Sequence, residues 1–422
     1  MKGTVRTLKT FRKVSNSHLY IIDYRADYKL DKLLAKGASN DQDFAKNVCK
    51  ILLNGLPVSV KPEGACSTFV VETPDGNNLF ARNFDYKSST PFLVTATPKS
   101  GYKSIALANL GHLGLNTDNP PEKNIINKFK SLAAIYSPLD GMNEKGFAVA
   151  VNTAAEQITH QCTGRTPVMT TCAIRLLLDK ASDVSEGIDI LKNVDMNSSG
   201  KIGYHFQLAD RSGDSAIVEY IDNKMVVIKR NTEFPYLCLT NFTLSTKEKN
   251  GIGQERFEII NNKLHENIGV MSEREAQDLL KAARLDGHKL YKPNDMYYDS
   301  STQWSAIYNL SEGKVSVWVK DDYDFIIIGG EIAAPEELAK YESGETILRC
   351  HNLPNAQFTG ALRHDRLPEY FKSANVAIIP FISNDITKPC SPLKYYEYVS
   401  AFLPVVTTEI EDLKDKPMVR MA

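Results

Sequence analysis

Residues 66–85 read CSTFVVETPDGNNLFARNFD. Two runs rich in β-branched and aromatic residues flank Pro-Asp-Gly-Asn, the pattern of a strand, a turn and a returning strand. With the turn centred between Asp75 and Gly76, residues whose numbers sum to about 151 face one another, which sets Asp85 opposite Cys66 and Arg82 opposite Phe69. A thiol, a cation and a carboxylate then meet at one sheet edge. Because Arg82 and Asp85 are three apart, a bulge or strand end is needed for both to reach the thiol. The grouping suits a thiolate nucleophile, since a neighbouring cation lowers a cysteine pKa from its usual value of about 8.5. No histidine lies near in sequence to act as base. The α-amine of Cys66, with an ordinary pKa of about 7.7–8.0, would serve if the chain were cut between Ala65 and Cys66.

Upstream, residues 1–65 read as a leader with structure of its own. LYIIDY (19–24) is strand-like, and Phe44, Val48, Ile51 and Leu52 share one helical face that Gly55 and Pro57 end. From Cys66 to Asp322, strands in hairpins are interrupted by two helical stretches, PVMTTCAIRLLLDKA (167–181) and SEREAQDLLKAARL (272–285). Ser272 and Glu275 form a capping box for the second. KVSVWV (314–319) alternates, with Val315, Val317 and Val319 on one face. Antiparallel strands with helices in separate blocks predict an α+β layered domain over 66–322. Beyond it the character changes. FIIIGG (325–330), NVAIIPF (375–381) and LPVVTT (403–408) are short apolar runs of the kind buried on both faces of a parallel sheet. RLPEYFKSA (366–374) and LKYYEYVSA (393–401) lie between or beside them as helices, so 323–422 reads as a separate α/β unit.

Composition agrees with a multi-unit globular chain: 422 residues, 42% hydrophobic and 24% charged. The formal net charge of -1 gives no electrostatic reason to expect nucleic acid or an anionic membrane as partner. No apolar run of secretory-signal or membrane-span length is present. The seven cysteines (Cys49, Cys66, Cys162, Cys172, Cys238, Cys350, Cys390) are scattered and lack CxxC spacing, which fits a reducing cytoplasm better than a disulfide framework or a zinc site.

The run from Cys66 to Ala81-Arg82-Asn83-Phe84-Asp85 strongly resembles the start of choloylglycine hydrolases, penicillin V acylases and their linear-amide C-N hydrolase relatives. The similarity continues through Asp140-Gly-Met-Asn-Glu-Lys-Gly146, His205-Phe-Gln-Leu-Ala-Asp210, Leu239-Thr-Asn241, Glu255-Arg-Phe257, Thr302-Gln-Trp304 and Asp322-Tyr-Asp324. The resemblance implies the four-layer αββα sandwich of the N-terminal-nucleophile hydrolases, with residues 1–65 as the propeptide portion of the longer members. It makes Cys66 the nucleophile and its amine the base. Arg82 and Asp85 would steady thiol and amine, Asn241 and Asn152 would donate to the oxyanion, and Arg256 would brace the site. The implied reaction is cofactor-free and metal-free hydrolysis of a small-molecule linear amide through an acyl-cysteine, after autocatalytic exposure of Cys66. The same nucleophile permits acyl transfer to an amine, and homo-oligomerisation is left open. A papain-like alternative pairs Cys66 with His205 and expects the cysteine at a helix N-terminus, whereas Cys66 opens a strand.

Residues 323–422 resemble part of the Rossmann-like nucleotide-sugar half of GT-B glycosyltransferases. The resemblance brings Glu397 towards the ribose and Lys394 towards the phosphates of a sugar nucleotide. Pro389 replaces the companion glutamate, and the acceptor-binding half has no counterpart. An inert fusion remnant is the expectation for this unit, and a non-catalytic sugar-nucleotide-binding fusion protein is the alternative from outside the enzyme class.

Overall fold

The computed structural model of the chain describes residues 2–14, 17–58, 64–154, 158–231, 236–248, 251–290, 298–320, 325–328, 356–360, 364–371, 374, 376–379 and 392–421. The chain divides into two compact units, Met1–Lys320 and Asp321–Ala422.

In chain order the first unit begins α1 (Lys2–Thr10), β1 (Arg12–Lys13), β2 (Tyr20–Tyr24), α2 (Leu30–Lys36), α3 (Asp41–Ile51), β3 (Ala65–Glu72) and β4 (Asn78–Tyr86). It continues β5 (Pro91–Ala96), β6 (Ser104–Asn109), α4 (Ile125–Lys130), β7 (Pro138–Asn143), β8 (Ala148–Ala154), β9 (Thr166–Met169), α5 (Thr170–Lys180) and α6 (Val184–Lys192). Then come β10 (Val194–Asn197), β11 (Gly203–Ala209), β12 (Ser215–Ile221), β13 (Lys224–Lys229), β14 (Cys238–Leu239), β15 (Asn241–Phe242) and β16 (Gly251–Ile252). The unit closes with α7 (Gln254–Glu266), α8 (Glu273–Ala282), β17 (Asp286–Leu290), β18 (Tyr298–Asn309) and β19 (Lys314–Val319). Helices and sheets are thus mixed in an α+β arrangement.

Two large sheets organise it. One has nine strands in the order β1-β2-β5-β6-β7-β8-β11-β12-β13; the other has six, β14-β3-β4-β18-β17 with β19 also paired to β18. The pairing is antiparallel throughout except that β2 runs parallel to β5. α5 packs on β7 and β8, α7 on β3, α8 on β4, and β3 also touches β8. Side chains alternate accordingly along β3. Cys66 and Val70 join the main core together with Phe80 and Phe84. Phe69 and Val71 point the other way, to Ile260 and Leu264 of α7 and Ala276 and Leu280 of α8.

The hairpin register differs from the expectation by one residue. Cys66 faces Phe84, Thr68 faces Arg82 and Ala65 faces Asp85. The loop holds five residues, Thr73–Asn77, closed by the Thr73 N–H on the Asn77 carbonyl at 2.7 Å, with Gly76 at φ 85°. An odd loop moves the pairing sum by one, and in a period-2 element that is enough to swap faces. Arg82 therefore shares the Cys66 face, and Asp85 lies on the other. The first helical stretch also begins later than its pattern suggests. Pro167, Val168 and Met169 form β9, parallel to β10, and α5 starts at Thr170. The Ser272–Glu275 capping box opens α8 as expected, and Val319, with Val315 and Val317, lies against the main core.

The leader is built into this unit. β2 supplies a strand of the nine-stranded sheet, and α3 buries Phe44, Val48 and Ile51. The Tyr28 hydroxyl donates to the buried Asp179 carboxylate, 2.8 and 2.7 Å from its two oxygens, while Arg175 Nε donates to the same group at 2.9 Å.

In the second unit, Ala377–Ile379, Val405–Thr407 and Val419–Met421 form a parallel three-stranded sheet, and Phe325–Ile328 pairs in parallel with Ala356–Gly360. Leu393–Ser400 is helical, and its Tyr395 packs with Ile379, Leu403 and Val405. Burial on both faces is not what the described residues show. Val376 and Ile378 are 48% and 45% exposed, whereas Ala377 and Ile379 are buried with Tyr395 and Leu403. Lys394 is exposed and Glu397 half-buried on that helix. Pro389, Gly329, Gly330 and Asp322–Asp324 lie outside the described residues.

Replacing Tyr28 by phenylalanine removes the hydroxyl donor from a buried carboxylate, an expected loss of about 1–3 kcal/mol, read as a lower urea midpoint. Because β2 and α3 are held by the sheet and core, a chain severed between Ala65 and Cys66 is expected to run as two pieces under denaturing conditions and to elute as one under native conditions.

Candidate active site

The geometry centres on Arg82. Its guanidinium is fully buried and reaches from β4 across to the nine-stranded sheet. Nη1 donates to the Leu139 and Val151 carbonyls at 2.8 and 3.0 Å, and Nε pairs with Asp140 at 2.9 Å. Nη2 then lies 3.0 Å from Cys66 Sγ. Asp140 also accepts from the Tyr308 hydroxyl. Burial raises the Asp140 carboxyl above its ordinary range, although Arg82 and hydrogen bonds from Tyr308 and Trp304 oppose it. Burial likewise pushes the Cys66 thiol up to about 12; Arg82 and Arg256 pull it down, and Asp85 and Asp140 add to the rise.

A second group holds the Cys66 backbone. The Cys66 N–H donates to Asn241 Oδ1 at 2.9 Å, and that oxygen also accepts from Arg256 Nη2 at 2.8 Å. Arg256, in the first turn of α7, pairs with Asp85, whose other oxygen accepts from the Thr302 hydroxyl at 2.6 Å. Asp85 thus reaches the nitrogen side of Cys66 through Arg256. Its expected place beside the thiol is corrected by the register, since Ala65 is its cross-strand partner. The bulge between Thr302 and Trp304 on β18 lies directly opposite Asp85 and Phe84.

Asn241 does not aim a donor at open space. Its Nδ2 donates to both the carbonyl and the hydroxyl of Thr153, each at 2.9 Å, while its Oδ1 faces the Cys66 nitrogen. Asn152 is looser. Its Nδ2 lies 3.4 Å from Thr68 Oγ1 and 3.3 Å from the Leu239 and Thr240 carbonyls, and its buried Oδ1 has no partner among the described residues. The Thr153 hydroxyl itself donates to the Gly64 carbonyl at 2.8 Å. His205 does not touch the thiol. Its ring nitrogens face Glu219 at 3.2 Å and the Thr240 carbonyl at 2.9 Å, which removes the papain-like pairing. Trp304 stacks on Phe84 at 4.1 Å between ring centroids, as a wall of the core.

Sequence reasoning brought Cys66, Arg82, Asn241 and Arg256 to one place and missed the roles of Asp140, Thr153, Thr302 and Tyr308. Asp140 lies 58 positions from Arg82 and Thr302 lies 217 from Asp85, separations at which no local spacing signals a contact. Among the described residues no group of three or more metal-binding side chains occurs, and no helix is long and apolar enough to cross a membrane.

Comparison with known proteins gives two matches. Residues 66–241 match the family of linear amide C-N hydrolases, choloylglycine hydrolase family, and residues 312–418 match glycosyl transferases group 1. The penicillin V acylase of Pectobacterium atrosepticum is 27% identical over 201 residues, 44% of this chain and 53% of that protein. The bile salt hydrolase/transferase of Clostridium perfringens is 28% identical over 179 residues, 39% of this chain and 51% of its own. The chain thus spans about half the length of the curated relatives it matches. A solved structure of a mutant conjugated bile acid hydrolase from Clostridium perfringens aligns with a TM-score of 0.43 at 18% identity, over 61% of this chain and 89% of that one. Residues 66–241 are a domain of the choloylglycine hydrolase family of linear amide C-N hydrolases, and residues 312–418 a domain of the group 1 glycosyl transferases.

Proposed function

We propose that the first unit hydrolyses a linear amide through Cys66 after the Ala65–Cys66 bond is cut. The observation that carries this reading is the double hold on Cys66: Arg82 Nη2 at 3.0 Å from Sγ and Asn241 Oδ1 at 2.9 Å from the backbone nitrogen. In the cut, Sγ adds to the Ala65 carbonyl, the C–N bond breaks, and the thiol proton passes to the departing Cys66 nitrogen. Water then hydrolyses the Ala65 thioester, leaving a carboxylate on Ala65 and a free amine and thiol on Cys66. In turnover that amine takes the thiol proton and the sulfur attacks the substrate carbonyl. The proton goes to the leaving amine, and water releases the acyl group. Arg82 stabilises the thiolate. Asn241, Arg256 and Asp85 hold the amine. Asn152, with the longest and most replaceable bonds, is the side chain assigned to the oxyanion.

The finer reading follows. Contacts of α5 with β7 and β8, and of α7 and α8 with β3 and β4, support a four-layer αββα sandwich over 66–322 with residues 1–65 as its leader. We assign 323–422 as a partial GT-B-type unit that plays no part in amide chemistry, every assigned residue lying between Cys66 and Arg256. The substrate class is a small N-acyl amide, of the kind named in the relatives' penicillin V and bile salt activities.

Intact mass is the first test. Wild type is expected as two pieces divided before Cys66, and Cys66→Ala as one uncut, inactive chain; an active wild type still joined at Ala65–Cys66 overturns the reading. Reactivity is the second. With the thiol pushed up to about 12 in the joined chain, Cys66 stays protonated at neutral pH. Its peptide should resist iodoacetamide at pH 8 in the still-joined fraction of a slowly cutting Asn241→Ala chain and label readily once wild type is cut. Equal labelling of both forms contradicts the proposed activation.

A further inference from the structure

Away from the thiol, a fully buried histidine–glutamate pair holds the segment that carries Asn241. His205 on β11 and Glu219 on β12 are both buried, and each contacts the chain between Thr240 and Ser245. His205 presents both ring nitrogens to neighbouring oxygens, Nδ1 to Glu219 Oε1 at 3.2 Å and Nε2 to the Thr240 carbonyl at 2.9 Å. Glu219 accepts the Leu244 N–H on Oε1 at 2.8 Å and the Ser245 N–H on Oε2 at 2.9 Å. One end of a six-residue segment is therefore tied to the histidine and the other to the glutamate, with Asn241 inside it. Burial alone would raise the Glu219 carboxyl, but the hydrogen bond and charge of His205, with the Leu244 and Ser245 donors, hold it at about 2. Apart from this pair, the segment is also held by the two-residue ladder of β15 with β16, the long bonds of Asn152 and the side-chain bonds of Asn241 to Thr153, Cys66 and Arg256.

Resting on the assignment of Cys66 as nucleophile, we infer that His205 and Glu219 are a positioning pair that clamps Thr240–Ser245 to the nine-stranded sheet and so sets Asn241 Oδ1 on the Cys66 nitrogen. Neither residue touches the reacting atoms. Their effect passes through the placement of one amide, and an error of about 1 Å there costs on the order of 100-fold in rate.

The test uses the full chain with His205→Gln and Glu219→Gln, scored by hydrogen exchange of peptides spanning 240–245 and by the rate of Ala65–Cys66 cutting per folded molecule. Exchange of that segment is expected to rise about tenfold or more while β3 and β4 stay protected, and cutting to slow by roughly 10- to 100-fold. Added to Asn241→Ala, either change should slow cutting no further, because the group it positions is gone. A purely structural role predicts additive losses that follow the thermal midpoint. Unchanged exchange, wild-type cutting despite faster exchange, or additivity with Asn241→Ala each overturns the inference. Should wild type itself remain uncut, the assignment of Cys66 fails, and the exchange of 240–245 still decides whether the pair clamps the segment. If His205→Gln does not fold, Glu219→Gln, which keeps the side-chain volume, carries the same reading.

Discussion

One guanidinium sets the relation between the two sheets. Arg82 leaves β4 and spends its donors on the backbone of β7 and β8, on Asp140 and on the thiol. A cation buried without partners is among the most costly groups a protein can hold, and removing one member of such a pair typically costs about 3–5 kcal/mol. The carbonyls of Leu139 and Val151 can accept from Arg82 only at one separation and one shift of the six-stranded sheet over the nine-stranded one. That separation also places Sγ 3.0 Å from Nη2. The position of the sulfur is thus a by-product of satisfying a buried cation, and Tyr308 on Asp140 extends the same constraint to β18.

A good part of this was legible in the residues. The hairpin, the α8 capping box, the face of β19 and the buried side of α3 all follow from local periodicity and caps, which act over a few residues. The register of the hairpin was not, because it depends on whether the loop closes over four residues or five, and Thr73 decides that by bonding Asn77. The consequence is chemical as well as geometric. With the sum shifted by one, Asp85 leaves the thiol face and meets Arg256, so the carboxylate that seemed to belong to the sulfur serves the nitrogen. The partners that complete each group, Asp140 for Arg82 and Thr153 for Asn241, come from strands that only the sheet order brings near. Among the described residues of NVAIIPF one face is buried, with Ala377 and Ile379, and Ile378 is open, because apolar composition states what a strand can tolerate and not which elements reach it.

The leader bears on how the proposed activation would work. β2 is an interior strand of the nine-stranded sheet, flanked by β1 and by β5, and its parallel pairing with β5 differs in direction from every other pair in that sheet. A parallel neighbour requires a long crossover, here the chain from Tyr24 to Pro91, which passes through α2, α3 and the whole β3–β4 hairpin. The segment before Cys66 therefore belongs to the fold that surrounds the site. Cutting the chain before Cys66 would free a terminus inside an assembled structure, and the leader would remain a wall of it.

The residues immediately before Cys66 show what the proposed cut would have to contend with. Gly64 sits at φ 154°, and a Cβ there would come within 2.8 Å of the Phe84 ring and 3.2 Å of the Asp85 carbonyl. Only glycine passes this point without displacing the residue that faces Cys66 across the hairpin. The Thr153 hydroxyl holds the Gly64 carbonyl from one side and accepts from Asn241 on the other, so the same side chain links the chain just before the Ala65–Cys66 bond to the amide that grips the Cys66 nitrogen. The Ala65 carbonyl, the one attacked in the proposed cut, is thereby held between two fixed points, Gly64 behind it and Cys66 ahead. In that arrangement Phe84, packed against Trp304, supplies the rigid surface against which the bend at Gly64 is formed. An aromatic wall placed for packing thus also determines which residue can precede Ala65.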